Sequence, residues 1–97
     1  MSLADFKATT HEAVAQDTLR HGLIGEGIMI PGLRGSIPLV YADYVASGRA
    51  LEQVEDYVAQ QVLPYYANSH TEASFCGSYI TRLRREARAE IARMTGA

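Results

Sequence analysis

Leu39-Val40-Tyr41-Ala42-Asp43-Tyr44-Val45-Ala46-Ser47-Gly48-Arg49-Ala50-Leu51 is the stretch in which the chain changes character. Upstream of it, Gly25, Gly27, Pro31-Gly32 and Gly35 punctuate short apolar pieces, Ile28-Met29-Ile30 and Ile37 to Tyr41. Short apolar runs bounded by turn residues predict two short strands within 24–42. Pro31-Gly32 suits the middle of a type II turn, proline setting φ and glycine accepting positive φ. Downstream, Leu51, Val54, Val58 and Val62 recur at intervals of three and four, behind Glu52, Glu55 and Asp56. That spacing predicts a helix over 47–63, with Ser47 as its N-cap and Pro64 as its end.

The flanks are helical too. Residues 2–21 place Leu3, Phe6, Thr10, Ala13 and Val14 on one side, with Ser2 and Asp5 as a cap and Gly22 as a stop. Residues 64–77, rich in Tyr, Asn, Ser and Thr, lack a period and read as loop. Residues 78–95 set Ile80, Leu83, Ala87, Ile91 and Met94 on one face, leaving Arg82, Arg84, Arg85, Arg88 and Arg93 largely on the others. Gly96 stands where a left-handed C′ residue is expected. The fold class is thus mostly α with a short β-hairpin, an α+β arrangement in a single partial domain over 1–97 with no repeat or linker.

A chain of 97 residues buries a limited share of its surface, so apolar helix faces call for a second copy or further chain to cover them. The formal charge of −2, with no basic-aromatic run, argues against nucleic acid as a partner. No apolar run approaches the roughly 18 residues of a membrane span, and no basic segment precedes an apolar signal core. A cytoplasmic protein is expected. Cys76 is the only cysteine, which excludes an internal disulfide and fits a reducing compartment.

Gly25-Glu26-Gly27 lacks the third glycine of a dinucleotide fingerprint and the Gly-Lys-Ser/Thr of a P-loop, so it reads as a turn. His11, His21 and His70 have no metal-ligand spacing. His11 and His21 fall on helix surfaces, whereas His70 lies in a polar loop beside Asn68, Ser69 and Thr71. Cys76 has no assigned base and reads as a structural thiol. The five arginines could clamp an anion, but Glu86 and Glu90 are interleaved with them. Arg82 and Glu86 have ion-pair spacing, so a solvated face is expected. Tyr57, Tyr65 and Tyr66 suit packing at a helix end or a subunit contact.

Two stretches carry more specific information. Leu39 to Leu51 resembles the N-terminal signature of class V aminotransferases and cysteine desulfurases: an apolar strand with Tyr and a near-following Asp, a small-residue turn, then a helix. Asp43 matches the family's Asp, Ala46 the second Ala of its Asn-Ala-Ala-Thr turn and Ser47 its hydroxyl residue, while Tyr44 and Val45 replace Asn and the first Ala. Leu63 to Thr71 is similar to the segment where a helix ends in an Ala-Asn-x-His loop, matched by Asn68 and His70; Thr71-Glu72-Ala73 departs from the usual continuation. Gly77 to Gly96 looks like the next family helix through Arg85, Arg88, Ile91, Gly96 and Ala97, and the likeness covers Ile37 to Ala97.

The resemblance implies the N-terminal fragment of a pyridoxal-phosphate-dependent transferase fold, acting on an amino acid by transamination or desulfuration. Ala46, Ser47, Asn68 and His70 would lie on the substrate side. The cofactor-bearing lysine, the acid at the pyridinium nitrogen and the phosphate site belong, in the family, to later residues. Lys7 is the only lysine and precedes the matching region, so no catalytic residue is assigned, the chain is expected to be inactive alone, and pyridoxal phosphate is not expected to bind it alone. Its partners would be the remainder of the enzyme or a second copy. The competing expectation is a freestanding helical interaction module using the Leu51/Val54/Val58 and Leu83/Ala87/Ile91 faces.

Overall fold

The computed structural model describes residues 3–69 and 71–97, which leaves the expected Ser2 cap outside the described residues. Helix α1, Leu3–Ala15, turns Leu3, Phe6, Thr10 and Ala13 partly inward, while Val14 stays exposed. It ends six residues before the expected His21. Asp17 enters the left-handed region at φ 55°, which Asp tolerates better than most side chains. The Thr18 amide then donates to the Ala13 carbonyl at 2.8 Å and closes the end. A single 3-10 turn, Leu19–Gly22, follows. Gly22, expected to stop the helix, is instead buried where a Cβ would overlap the Gln53 carboxamide.

Residues 24–27 form the expected turn, with Gly25 and Gly27 at φ 94° and 77°. Strands β1, Met29–Gly32, and β2, Gly35–Pro38, pair antiparallel, with Ile30 opposite Ile37 and Gly32 opposite Gly35. The turn therefore lies at Leu33-Arg34, two residues beyond the expected Pro31-Gly32. Hydrogen bonding explains the shift. Leu39 donates to the Ile28 carbonyl at 2.8 Å, so bonded pairs fall at every second position from 28, and Pro31 and Pro38 occupy the alternate positions. There their missing N–H groups cost no ladder bond. Gly35, at φ 115°, makes the bend that a side-chain-bearing residue resists.

The middle helix starts later than its sequence implies. Helix α2, Glu52–Tyr57, has Leu51 rather than Ser47 before its first turn. Residues 50 and 51 are drawn into extended chain, because Leu51 bridges Leu23 and the Ile24 amide donates to the Ala50 carbonyl at 3.0 Å. Tertiary pairing overrides a local capping preference. α2 continues through a π-helical turn, Val58–Val62, and a 3-10 turn, Leu63–Tyr65, where Pro64 has no N–H to extend it. A carbonyl near this end, that of Gln61, accepts from the Tyr79 hydroxyl at 2.5 Å.

Helix α3, Phe75–Thr95, begins three residues earlier than expected because Ser74, not a residue of the 78–95 helix, is the cap. Its hydroxyl accepts from the Gly77 amide at 3.0 Å. Gly96 terminates it at φ 74°, ψ 17°. On the expected apolar face Ile80 is buried and Leu83 and Ala87 are half-buried, but Ile91 and Met94 are exposed. The expected Arg82–Glu86 pairing is replaced by a cation–π contact, Arg82 lying 5.7 Å from the Tyr79 ring centre.

The whole is mostly helical with one two-stranded hairpin, and it is long: 60 × 27 × 24 Å, with a radius of gyration of 17.8 Å. A compact chain of this length has a radius near 12.5 Å. Among the described residues Ile80 is the only apolar side chain classed as core. Ring contacts add to the packing between helical segments. Phe6 of α1 lies 4.5 Å from Tyr57 of α2, and Tyr65 lies 4.7 Å from Tyr79 of α3.

Candidate functional site

The loop from Tyr41 to Leu51 has little regular structure, yet it is fixed from within. The Ala46 and Ser47 amides both donate to the Asp43 carbonyl, at 3.1 and 3.2 Å, closing a tight turn over 43–47. Across its mouth the Tyr41 hydroxyl donates to the Ser47 carbonyl at 2.5 Å, and the Tyr44 ring stands edge-on to Tyr41 at 5.2 Å. Ser47 turns its hydroxyl to the Gly48 carbonyl at 3.2 Å and caps no helix. Ala46 and Ser47 are both exposed on this turn.

Arg49 anchors the loop to the preceding chain. Its guanidinium donates to Glu26 at 2.9 Å and to the Ile24 carbonyl at 3.3 Å, and its centre lies 5.5 Å from the Tyr41 ring centroid. The side chain is only 10% exposed, so this pair is shielded on one side far more than an ordinary surface ion pair. Sequence reasoning missed it: Glu26 lies 23 positions upstream, and nothing local marks a lone arginine between Gly48 and Ala50.

Asn68 belongs to a different loop, between the end of the middle helix and α3, and is exposed. His70, expected beside it, lies outside the described residues. This loop is tied to α3 by the Thr81 hydroxyl, which donates to the Ser69 carbonyl at 2.7 Å. A cleft of about 720 Å³ runs alongside, bounded by Ser69, Glu72, Thr81, Arg84, Arg85 and Arg88. It contains neither Ala46 nor Ser47. The structure thus brings Ala46 and Ser47 together on one turn and places Asn68 on another segment.

The remaining candidates lie elsewhere. Lys7 pairs with Glu90 at 2.8 Å across α1 and α3, and Arg93 holds the same carboxylate. Hydrogen bonds from Arg93 and then Lys7 lower the Glu90 pKa to about 2. The Tyr57 pKa is raised, first by burial and then by the neighbouring Tyr79 and Glu86 charges. The Tyr57 hydroxyl and Gln53 Oε1 are buried without a hydrogen-bond partner among the described residues. Both residues line a cleft of about 190 Å³ between α1 and α2, walled by Phe6 and Thr10. Tyr66 projects into solvent, His11 and His21 are exposed, and Cys76 is half-buried in the first turn of α3.

No protein-family model, curated protein or solved structure matches this chain. Among the described residues no group of His, Cys, Asp or Glu has the geometry to hold a metal ion. No described helix is long and apolar enough to cross a membrane. The 41–51 loop sets shape; it pairs no nucleophile with a base. Its chemical resources are an exposed Tyr44-Val45-Ala46 tip, the exposed Asp43 residue and backbone groups held in fixed directions.

Proposed function

We propose that this chain is the front portion of a pyridoxal-phosphate-dependent enzyme of the class V aminotransferase and cysteine desulfurase kind, supplying a substrate-side turn and a helical layer, and inactive alone. The observation that carries the reading is the 43–47 turn, braced from inside by Tyr41 and connected to the 24–26 segment through Arg49. A wall that orients a substrate works best when its shape is set before the substrate arrives, since positioning then costs little at the moment of reaction. In this reading Ala46 and Ser47 form that wall, and Asn68 and His70 take their substrate-side roles from the family resemblance. The substrate is an amino acid, and the reaction is transamination or desulfuration.

Pyridoxal phosphate, where it is bound, supplies an electron sink for carbanion chemistry. The residues present do not fit the cofactor on their own. Lys7, the only lysine, is engaged by Glu90, on the α1–α3 side of the molecule. The cofactor-holding groups are therefore assigned to further chain. The accessible surface supports this division: it is 7442 Å², where a compact monomer of 10.6 kDa exposes about 5,500 Å². An excess of that order matches what an obligate interface covers. In this reading the cover is the remainder of the enzyme or a second copy, and the protein works in the cytoplasm.

The test is the reading frame after Ala97 and the protein it makes. The expected result is a continuation whose product, purified with this chain, holds pyridoxal phosphate on a lysine, while the 97-residue chain mixed with the cofactor shows only the free cofactor's absorbance. A lysine-dependent absorbance band on the isolated chain overturns the inactive-alone reading. A stop codon directly after Ala97 with no adjacent partner gene overturns the enzyme reading and favours a freestanding helical interaction module. Exposed Val54 and Ile91, on the two faces named for that module, are the observation in its favour.

A further inference from the structure

In sequence, the two glutamates of α3 are interleaved with its five arginines. In three dimensions they are sorted. At about 100° per residue, Arg84, Thr81, Arg88 and Arg85 fall within one third of the helix circumference, and Glu86 and Glu90 fall on the opposite side. The structure shows what holds the acids there. Glu90 is taken by Lys7 and Arg93, and Glu86 lines the groove where Leu3 and Lys7 of α1 approach α3. The arginine side is left with one acid, Glu72, which pairs with Arg85 at 3.0 Å. Arg84 and Arg88, four positions apart on the same side, have no acidic partner among the described residues. Like charges at that spacing repel and destabilise a helix.

These side chains edge a concave feature. Thr81 is buried, its hydroxyl donates to the Ser69 carbonyl at 2.7 Å, and both residues line the 720 Å³ cleft. The paired Arg85 and Glu72 also line it, while Arg84 and Arg88 carry the uncompensated charge. Planar guanidinium groups present parallel N–H donors that match phosphate oxygens two at a time, and two adjacent groups match a diphosphate better than a lone anion. We infer that this cleft binds a phosphate-bearing small molecule, with Arg84 and Arg88 as its phosphate ligands. The inference is independent of the enzyme reading, because it uses neither the 41–51 turn nor a cofactor.

The experiment follows the arginine Nε resonances of the full 97-residue chain by NMR while inorganic phosphate or pyrophosphate is added, against sodium chloride at matched ionic strength. Saturable shifts of Arg84 and Arg88 with either phosphate are expected, tighter with pyrophosphate. The double variant Arg84→Gln/Arg88→Gln should weaken binding at least ~10-fold, Arg84→Lys should retain part of it, and Arg82→Gln, on the Tyr79 side, should change it less than ~2-fold. Inorganic phosphate binding as tightly as pyrophosphate would assign a single phosphoryl group and still support the cleft. Shifts that merely track ionic strength, or an equal loss in Arg82→Gln, would overturn it. So would sedimentation showing that pyrophosphate splits an oligomer without saturating the arginine shifts, which would give this side to an acidic protein surface instead.

Discussion

The helical end and the hairpin arm both carry large apolar side chains, but they are held in order by different means. At the helical end, Phe6 of α1 meets Tyr57 of α2, Tyr65 meets Tyr79 of α3, Ile80 is buried, and the Tyr79 hydroxyl satisfies a carbonyl at the end of the middle helix. In the hairpin, Leu33 is fully exposed and Met29 and Ile37 are about half exposed. A two-stranded ribbon has no second layer to cover either face and is marginal by itself. Side-chain contacts hold the helical end; backbone hydrogen bonds and the Gly35 bend hold the hairpin strands, and Arg49 ties their flank. The same polypeptide thus contains one region whose stability responds to core substitutions and one that scarcely registers them.

Ile80→Ala is the strongest attempt to break this contrast. Removing this buried aliphatic side chain should cost about 2–4 kcal/mol, read as a lower urea midpoint by far-ultraviolet circular dichroism. A loss under about 0.5 kcal/mol would mean that the rings alone hold the helices. Next in size is Ser74→Ala, which removes the hydroxyl acceptor for the Gly77 amide and should cost about 1 kcal/mol in the same assay.

Glu90 gives a smaller effect with a definite sign. Its pKa, lowered from 4.5 to about 2 by Arg93 and Lys7, favours the folded state above pH 4.5, and that contribution fades as the pH falls from 4.5 through 2. Carboxyl-carbon NMR should show the titration midpoint rising in Lys7→Gln, with the hairpin resonances unmoved. Leu33→Lys is the smallest, within about 0.5 kcal/mol of the parent, because the side chain touches nothing that folding covers. A large loss there would show that the arm lies against another surface in solution.

Local signals were the legible ones. α3 was visible from its three- and four-residue spacing, and Gly96 from the left-handed residue that a helix end requires. The existence of a hairpin could be read from glycine and proline, but its register could not, since Pro31 serves as a strand residue whose missing N–H falls between ladder bonds. Ser47 had the right chemistry for a cap and was overruled by the Leu23–Leu51 bridge, a contact between segments 28 positions apart. The bend at Ala46 and Ser47 was expected only through the family resemblance, the residues alone having suggested a cap at Ser47. Arg49 was not, because its value lies in where Glu26 and Tyr41 end up. The charge sorting on α3 was half legible: helical angles separate the signs, but only the position of α1 shows that Lys7 occupies Glu90.

The pairing of Leu23 with Leu51 makes residues 24–50 a cassette whose two ends leave and rejoin the helical end side by side. Lengthening or trimming such an excursion changes the cost of closing it only slowly with length. The reach of the arm is thus a dimension that insertions and deletions can tune while its root, and the helices behind it, keep their places.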